Sequence, residues 1–190
     1  MELNFDGSRT TYGAGFGVIL ESPMGIKTQI AFKLEGNYSN NQIEYEALII
    51  GLVILLDMGI KSVEVYGDSQ LVIRQFTSDY KCCSLSIAPY FVAVRQLLEQ
   101  FSNAKLNHIP RSKNEEANCM AQIASVHKET NQVAQSPPCL SKRTLPSVID
   151  RELGTHFFHL DTQVNEWRNP IIAYLKNPSG CTNNALKLKA

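Results

Sequence analysis

The chain has 190 residues, 44% of them apolar, enough for one domain core with a tail or for two small domains. Its 18 Lys and Arg side chains cancel its 18 Asp and Glu, for a formal net charge of zero. That excludes a whole-protein field able to draw in a polyanion, so any nucleic-acid binding has to come from a local patch, bound cations or a neighbouring domain.

Met1 runs straight into strand-like residues, without the basic and apolar regions of a secretory signal. The longest apolar stretch, Ala47 to Leu56, is far short of the roughly 20 residues a membrane span needs. The expectation is a cytoplasmic or nuclear chain with no membrane partner. The five cysteines, Cys82, Cys83, Cys119, Cys139 and Cys181, are odd in number and form no Cys-x-x-Cys pair. They read as buried or reduced thiols, not as a disulfide framework or a zinc site.

Leu3-Asn4-Phe5 alternates and stops at Asp6-Gly7-Ser8, which reads as a strand entering a turn. Gly13 to Leu20 reads as a second strand, with Gly15 and Gly17 allowing close packing. After the turn Ser22-Pro23-Met24-Gly25, Ile26 to Leu34 completes an antiparallel meander. Asn40 and Asn41 offer capping side chains for a helix from Ile43 to Met58, with Gly59 as its stop. This helix is apolar nearly all round, which predicts burial against a sheet. Ser62 to Tyr66 alternates as a strand and ends at Gly67-Asp68-Ser69, and Leu71 to Phe76 is a short helix.

Ile87, Tyr90, Phe91, Val94, Leu97, Leu98 and Phe101 form a helical stripe. Lys105 to Ile109 is a last strand, stopped by Pro110. Ala117, Met120, Ala121 and Ala124 line a final helix, with Glu115 and Glu116 suiting its first turn. The order βββαβααβα is a layered α/β pattern. It predicts a domain over residues 1–127, a flexible linker over 128–165 that is polar and carries Pro137, Pro138 and Pro146, and a partly helical segment over 166–190.

Three acids stand out. Asp6 follows the first strand, Glu44 lies in the first turn of the long helix, and Asp68 follows the fourth strand. If strands one and four are neighbours, their C-terminal ends bring Asp6 and Asp68 side by side, and the helix carries Glu44 over them. Like charges so close call for a cation. Hard ions such as Mg²⁺ take carboxylate oxygens, and two of them about 4 Å apart suit in-line phosphodiester hydrolysis. The bland alternative is three ordinary strand-end and helix-start residues.

The local wording decides between these readings. Asp6-Gly7-Ser8, Gly13-x-Gly15-x-Gly17 and Asn40-Asn41-Gln42-Ile43-Glu44-Tyr45-Glu46-Ala47-Leu48 resemble ribonuclease H. So do Gly67-Asp68-Ser69-Gln70-Leu71-Val72 and His108-Ile109-Pro110-Arg111-x-x-Asn114-Glu115-x-Ala117. The wording is similar to the type 1-like ribonuclease H domains of plant retrotransposon polyproteins, and the likeness covers residues 2 to about 126. The resemblance implies a mixed five-stranded sheet, three antiparallel strands then two parallel, with helices on both faces. It also implies cleavage of the RNA strand of an RNA–DNA hybrid with two Mg²⁺ ions, for which Mn²⁺ can substitute. Asp6 would bridge both ions, and Glu44 and Asp68 would each hold one. Gly7, Ser8, Asn40, Asn41, Gln42 and Ser69 match the family's substrate-side segments; amides suit a ribose 2′-hydroxyl, to which they can both donate and accept.

The pattern departs at one acid. The family's fourth ligand maps onto Asn118, which offers an oxygen without a charge, so one ion should bind more weakly. The alternative is therefore a weakened or silent module of the same fold that binds nucleic acid. His108 reads as structural, and Arg74, Lys81, Arg111 and Lys113 are either phosphate contacts or solvated charges. His156-x-x-His159 lacks companions for a zinc site. Glu166 to Leu175 resembles the connector toward integrase, which implies a reverse transcriptase or integrase domain as partner in a parent polyprotein and a piece of a larger element here. A monomer is expected.

Overall fold

β1 (Glu2–Thr10), β2 (Gly13–Glu21) and β3 (Lys27–Leu34) form the expected antiparallel meander. The computed structural model describes residues 1–34, 36–77, 84–126 and 142–145. After α1 (Asn40–Asp57), β4 (Ser62–Gly67) returns parallel to β1, and β5 (Asn103–His108) adds parallel to β4. Between them lie α2 (Gln70–Thr77) and α3 (Ala88–Leu98). A 3-10 turn at Arg111–Lys113 leads into α4 (Glu115–Val126).

The strand order is β5-β4-β1-β2-β3-β6. Its first five members are the three antiparallel and two parallel strands that were expected. The sixth, β6 (Lys142–Leu145), pairs parallel with the outer edge of β3. These four residues fall inside the stretch expected to be linker. The rest of that stretch, the segment 166–190, and Lys81, Cys82, Cys83, Cys139, Cys181, His156 and His159 lie outside the described residues. No described helix is long and apolar enough to cross a membrane.

One face of the sheet carries the main core. Leu3, Phe5, Val63 and Val65 from the strands meet Ile43, Ala47, Leu48, Ile54 and Leu55 of α1 and Tyr90 and Val94 of α3. Burying each large aliphatic or aromatic side chain contributes about 1.5–3 kcal/mol. The all-round apolar character of α1 is explained by its place between the sheet and α3, since eleven of its residues are buried. Among the described residues, the opposite face is covered by α4, through Ala117, Met120 and Ala124 against Ile19 and Ala31. Here the glycines of β2 matter. A Cβ at Gly15 would lie 2.5 Å from Ser125 N, and one at Gly17 would lie 2.2 Å from the Ala117 carbonyl oxygen. The helix backbone occupies the space where side chains would stand.

Two expected boundaries move. β1 does not end at Asp6: Asp6, Gly7 and Ser8 pair with Gly17, Phe16 and Gly15 of β2, and the turn falls at Thr11 and Tyr12. α1 begins at Asn40, not Ile43, because Ser39 is its N-cap. Ser39 Oγ accepts from Gln42 N at 3.3 Å, and Ser39 N donates to Gln42 Oε1 at 2.8 Å, a reciprocal capping box. Asn40 and Asn41 are therefore first-turn residues and not caps. Glu44 moves with them into the second turn; the first holds no acid.

Candidate active site

The ladder between β1 and β4 stops at the pair Phe5↔Gly67. The next residue along each strand is an acid, Asp6 on one side and Asp68 on the other. The two carboxylates thus flank the mouth of a split between parallel neighbours, a crevice of the kind that α/β sheets use for ligands. Asn114, itself buried, spans the split. Its Nδ2 donates to the Phe5 carbonyl at 2.9 Å and to Asp68 Oδ1 at 2.7 Å. His108 Nε2 lies 3.2 Å from the Asp68 carbonyl oxygen, the structural position expected of it.

Gly7 brings in the third acid. A Cβ there would lie 2.8 Å from the backbone nitrogen of Glu44 and 2.9 Å from Ile43 Cγ2. Only glycine lets α1 lie this close to β1, so Gly7 has a packing function. Asp6 is on the opposite face of the strand, by the two-residue alternation of side chains. That is the face α4 covers, and Ser125 Oγ of α4 meets Ser8 Oγ there at 3.3 Å.

Burial and charge leave the acids unsatisfied. Asp6 is 5% exposed and Oδ1 accepts from Gly7 N at 2.9 Å, but Oδ2 has no partner. Glu44 Oε2 likewise has no partner. Burial first, then the Asp68 charge, pushes the Asp6 pKa from 3.8 up to about 6, against the pull of the Gly7 N–H and Arg111. Burial is also the main cause of a Glu44 pKa pushed from 4.5 up to about 7. The Ser69 hydrogen bond and Arg111 oppose that shift, while Asp6 and Asp68 add to it. Asn114 Oδ1 is a third orphaned oxygen. Unpartnered, buried oxygens, two on carboxyls and one on an amide, are what a hard cation takes as ligands. The donor set therefore fits a divalent ion, although no three acids, histidines or cysteines among the described residues already converge as a cage. One Asp68 oxygen is taken by Asn114, which leaves its other oxygen for an ion.

Asn118 stands in the first turn of α4. Its Oδ1 accepts from Arg111 Nη2 at 3.0 Å and from Gln122 Nε2 at 3.2 Å. Asn40 and Asn41 line an open groove of about 710 Å³ with Ser39, Arg9, Thr10 and Thr11. Gln42 is committed to the capping box, and Ser69 Oγ accepts from Val72 N at 3.4 Å. Two residues went unassigned in the sequence. Asn114 lay inside a quoted motif, but its burial is a tertiary fact. Arg9, which donates to Asn37 Oδ1 at 2.8 Å, follows Gly7 by two and so shares its face beside the α1 start.

Buried and half-buried carboxylates at the split of a mixed sheet, between a mostly apolar helix and a helix packed on glycines, define a ribonuclease H-like domain. The chain belongs to the reverse transcriptase-like family, whose profile matches residues 4–124. It is 38% identical over 89 residues to ribonuclease HI of Halobacterium salinarum, an alignment covering 47% of this chain and 45% of that protein. The chain thus spans less than half the length of that curated relative. The solved structure of RNase H1 from Halobacterium salinarum superposes with a TM-score of 0.61 at 33% identity, over 65% of this chain and 95% of that one. LC11-RNase H1, solved in complex with an RNA/DNA hybrid, gives 0.59 at 30% identity, over 65% and 94%.

Proposed function

We propose that this chain hydrolyses the RNA strand of RNA–DNA hybrids with Mg²⁺. The observation that carries the reading is the set of orphaned oxygens on Asp6 and Glu44, beside Asp68 and next to the groove of Asn40 and Asn41. The hybrid-bound LC11-RNase H1 supports the substrate class. Asp6, Glu44 and Asp68 would hold the first ion, and Asp6 with Asn118 a second, weaker one. Divalent ions there would neutralise the acids and polarise the scissile phosphodiester. Asn40 and Asn41 would read the RNA strand through its 2′-hydroxyls. Gly7 and Asn114 hold Glu44 and Asp68 at the split, and Arg9 and Thr10 add a donor-rich wall for the hybrid backbone. All these residues come from one chain, so a monomer suffices. A cytoplasmic or nuclear site, and a link to a reverse transcriptase or integrase domain of a retrotransposon polyprotein, belong to the same reading; the wording of residues 166–175 supports the link.

The test is a labelled hybrid incubated with Mg²⁺, Mn²⁺ or chelator. Cleavage confined to the RNA strand, abolished by chelator and by Asp68→Asn, is expected. No cleavage with either ion, together with retained hybrid binding, would favour a second reading, a binding module of the same fold. The neutral Asn118 is the observation on its side.

A further inference from the structure

Asn118 offers one side-chain oxygen, and that oxygen is already shared. Arg111 Nη2 donates to it at 3.0 Å and Gln122 Nε2 at 3.2 Å. A carbonyl oxygen has two lone pairs, so an ion approaching Asn118 Oδ1 must displace a donor. One of those donors carries a fixed positive charge.

Arg111 is placed there by its backbone. Pro110 starts the 3-10 turn in an extended conformation, Lys113 N bonds the Pro110 carbonyl at 2.8 Å, and Asn114 N bonds the Arg111 carbonyl at 3.0 Å. Asn114 is the residue that brackets Phe5 and Asp68. The turn thus ties Arg111 to the rim of the split, and its side chain reaches Asn118, one turn into α4. From there its charge lies within Coulombic reach of both Asp6 and Glu44.

We infer that Arg111, held by Asn118, fills the place of the second cation in the free domain. The inference rests on the metal site proposed above. It turns the loss of the fourth acid from a simple deficit into an exchange: a neutral amide at position 118 anchors a guanidinium that supplies the missing positive charge. A divalent ion entering among Asp6, Glu44 and Asp68 is then repelled by Arg111, and a second ion enters only when Arg111 swings away. A solvated surface arginine would do neither. An arginine that merely oriented Asn118 as a ligand would have the opposite sign, because its removal would weaken the site.

The experiment is Mn²⁺ titration of the full 190-residue chain, without nucleic acid and at low ionic strength, with free Mn²⁺ read by electron paramagnetic resonance. Arg111→Gln should tighten binding of the first ion roughly fivefold, the scale for removing one charge near a divalent ion in largely aqueous surroundings. The gain should shrink as salt is raised. Arg111→Lys, which keeps the charge, should bind like the parent. Unchanged or weaker binding in Arg111→Gln, with the parent still binding Mn²⁺, overturns the inference alone. Tightening in Arg111→Lys equal to that in Arg111→Gln also overturns it, since charge would not be the cause. No Mn²⁺ binding by the parent removes the proposed metal site as well.

Discussion

Asn114 makes the geometry of the split depend on one amide, because both hydrogens of Nδ2 are used, one on Phe5 and one on Asp68. Asn114→Asp replaces these donors with a carboxylate facing a carbonyl and another carboxylate. Leaving such groups unpaired and repelling in a buried place should cost about 2–4 kcal/mol, read as a lower urea midpoint, and should abolish cleavage. A variant as stable as the parent would deny Asn114 its bracketing role. Asn118 is a second residue whose effect can be weighed. A carboxylate brings the negative charge with which an entering ion can compete against Arg111, so Asn118→Asp should raise Mg²⁺-dependent cleavage about tenfold, or about 1.4 kcal/mol in the barrier. Mn²⁺, held more tightly by such donors, should lift the parent toward the variant. No gain at any Mg²⁺ concentration would rule out the fourth position as a ligand. Asp6, Glu44 and Asp68 were singled out by the wording around them and not by their expected positions, since Asp6 lies inside β1 and Glu44 in the second turn of α1. Asn114 was not: an amide just before a helix reads as a cap, and nothing in the sequence says that it is buried. Arg9 was hidden by a different error. Asp6-Gly7 reads as a turn, which ends β1 before the alternation can reach Arg9.

α4 depends on two missing side chains in β2. It packs with its own backbone against Gly15 and Gly17, and its apolar stripe is mostly alanine. Gly17→Ala would put a methyl within 2.2 Å of the Ala117 carbonyl oxygen and 2.6 Å of Met120 Cβ. Neither strand nor helix can yield locally, so the helix has to lift. The expected cost is about 2–3 kcal/mol in chemical denaturation, with loss of cleavage because Asn114 and Asn118 move with α4. A fully stable, active Gly17→Ala would show that the helix has slack. The long elements were legible because their patterns are repetitive: the all-round apolar α1 and the stripe of α3 leave few alternatives. The α1 start was misplaced by three residues, since Asn40 and Asn41 compete with Ser39 as caps and only the reciprocal Gln42 contact separates them. β6 carries no alternating apolar signal in Lys142-Arg143-Thr144-Leu145. Its pairing uses the open backbone edge of β3, which side-chain periodicity does not record.

At the scale of the whole molecule, zero net charge removes global repulsion as a source of pH dependence near neutrality. Among the described residues, what remains near neutrality is local to the split. Asp6 and Glu44 have folded pKa values of about 6 and about 7, above their ordinary 3.8 and 4.5. A carboxyl that holds its proton more tightly when folded contributes stability below its unfolded pKa, and that contribution is lost as pH rises through the folded value. The metal-free chain should therefore melt at progressively lower temperature from about pH 4 to about pH 8. Asp6→Asn removes one of the two titrations, so it should raise the melting temperature at pH 8 and change it little at pH 4. A divalent ion reverses the sign of the problem, because it binds only the ionised acids. With Mg²⁺ at about a hundred times its dissociation constant, linkage adds about 2.7 kcal/mol. For a domain of this size that is a rise of roughly 8–16 °C at pH 8, fading toward pH 5 as protons compete with the ion. Asp6→Asn should lose most of that rise while keeping its higher metal-free baseline. The check is a set of thermal melts at pH 5 and pH 8, with chelator or Mg²⁺, for the parent and Asp6→Asn. If the parent's melting temperature in chelator fails to drop between those two pH values relative to Asp6→Asn, the two acids are not the strained, cation-seeking pair that their burial makes them.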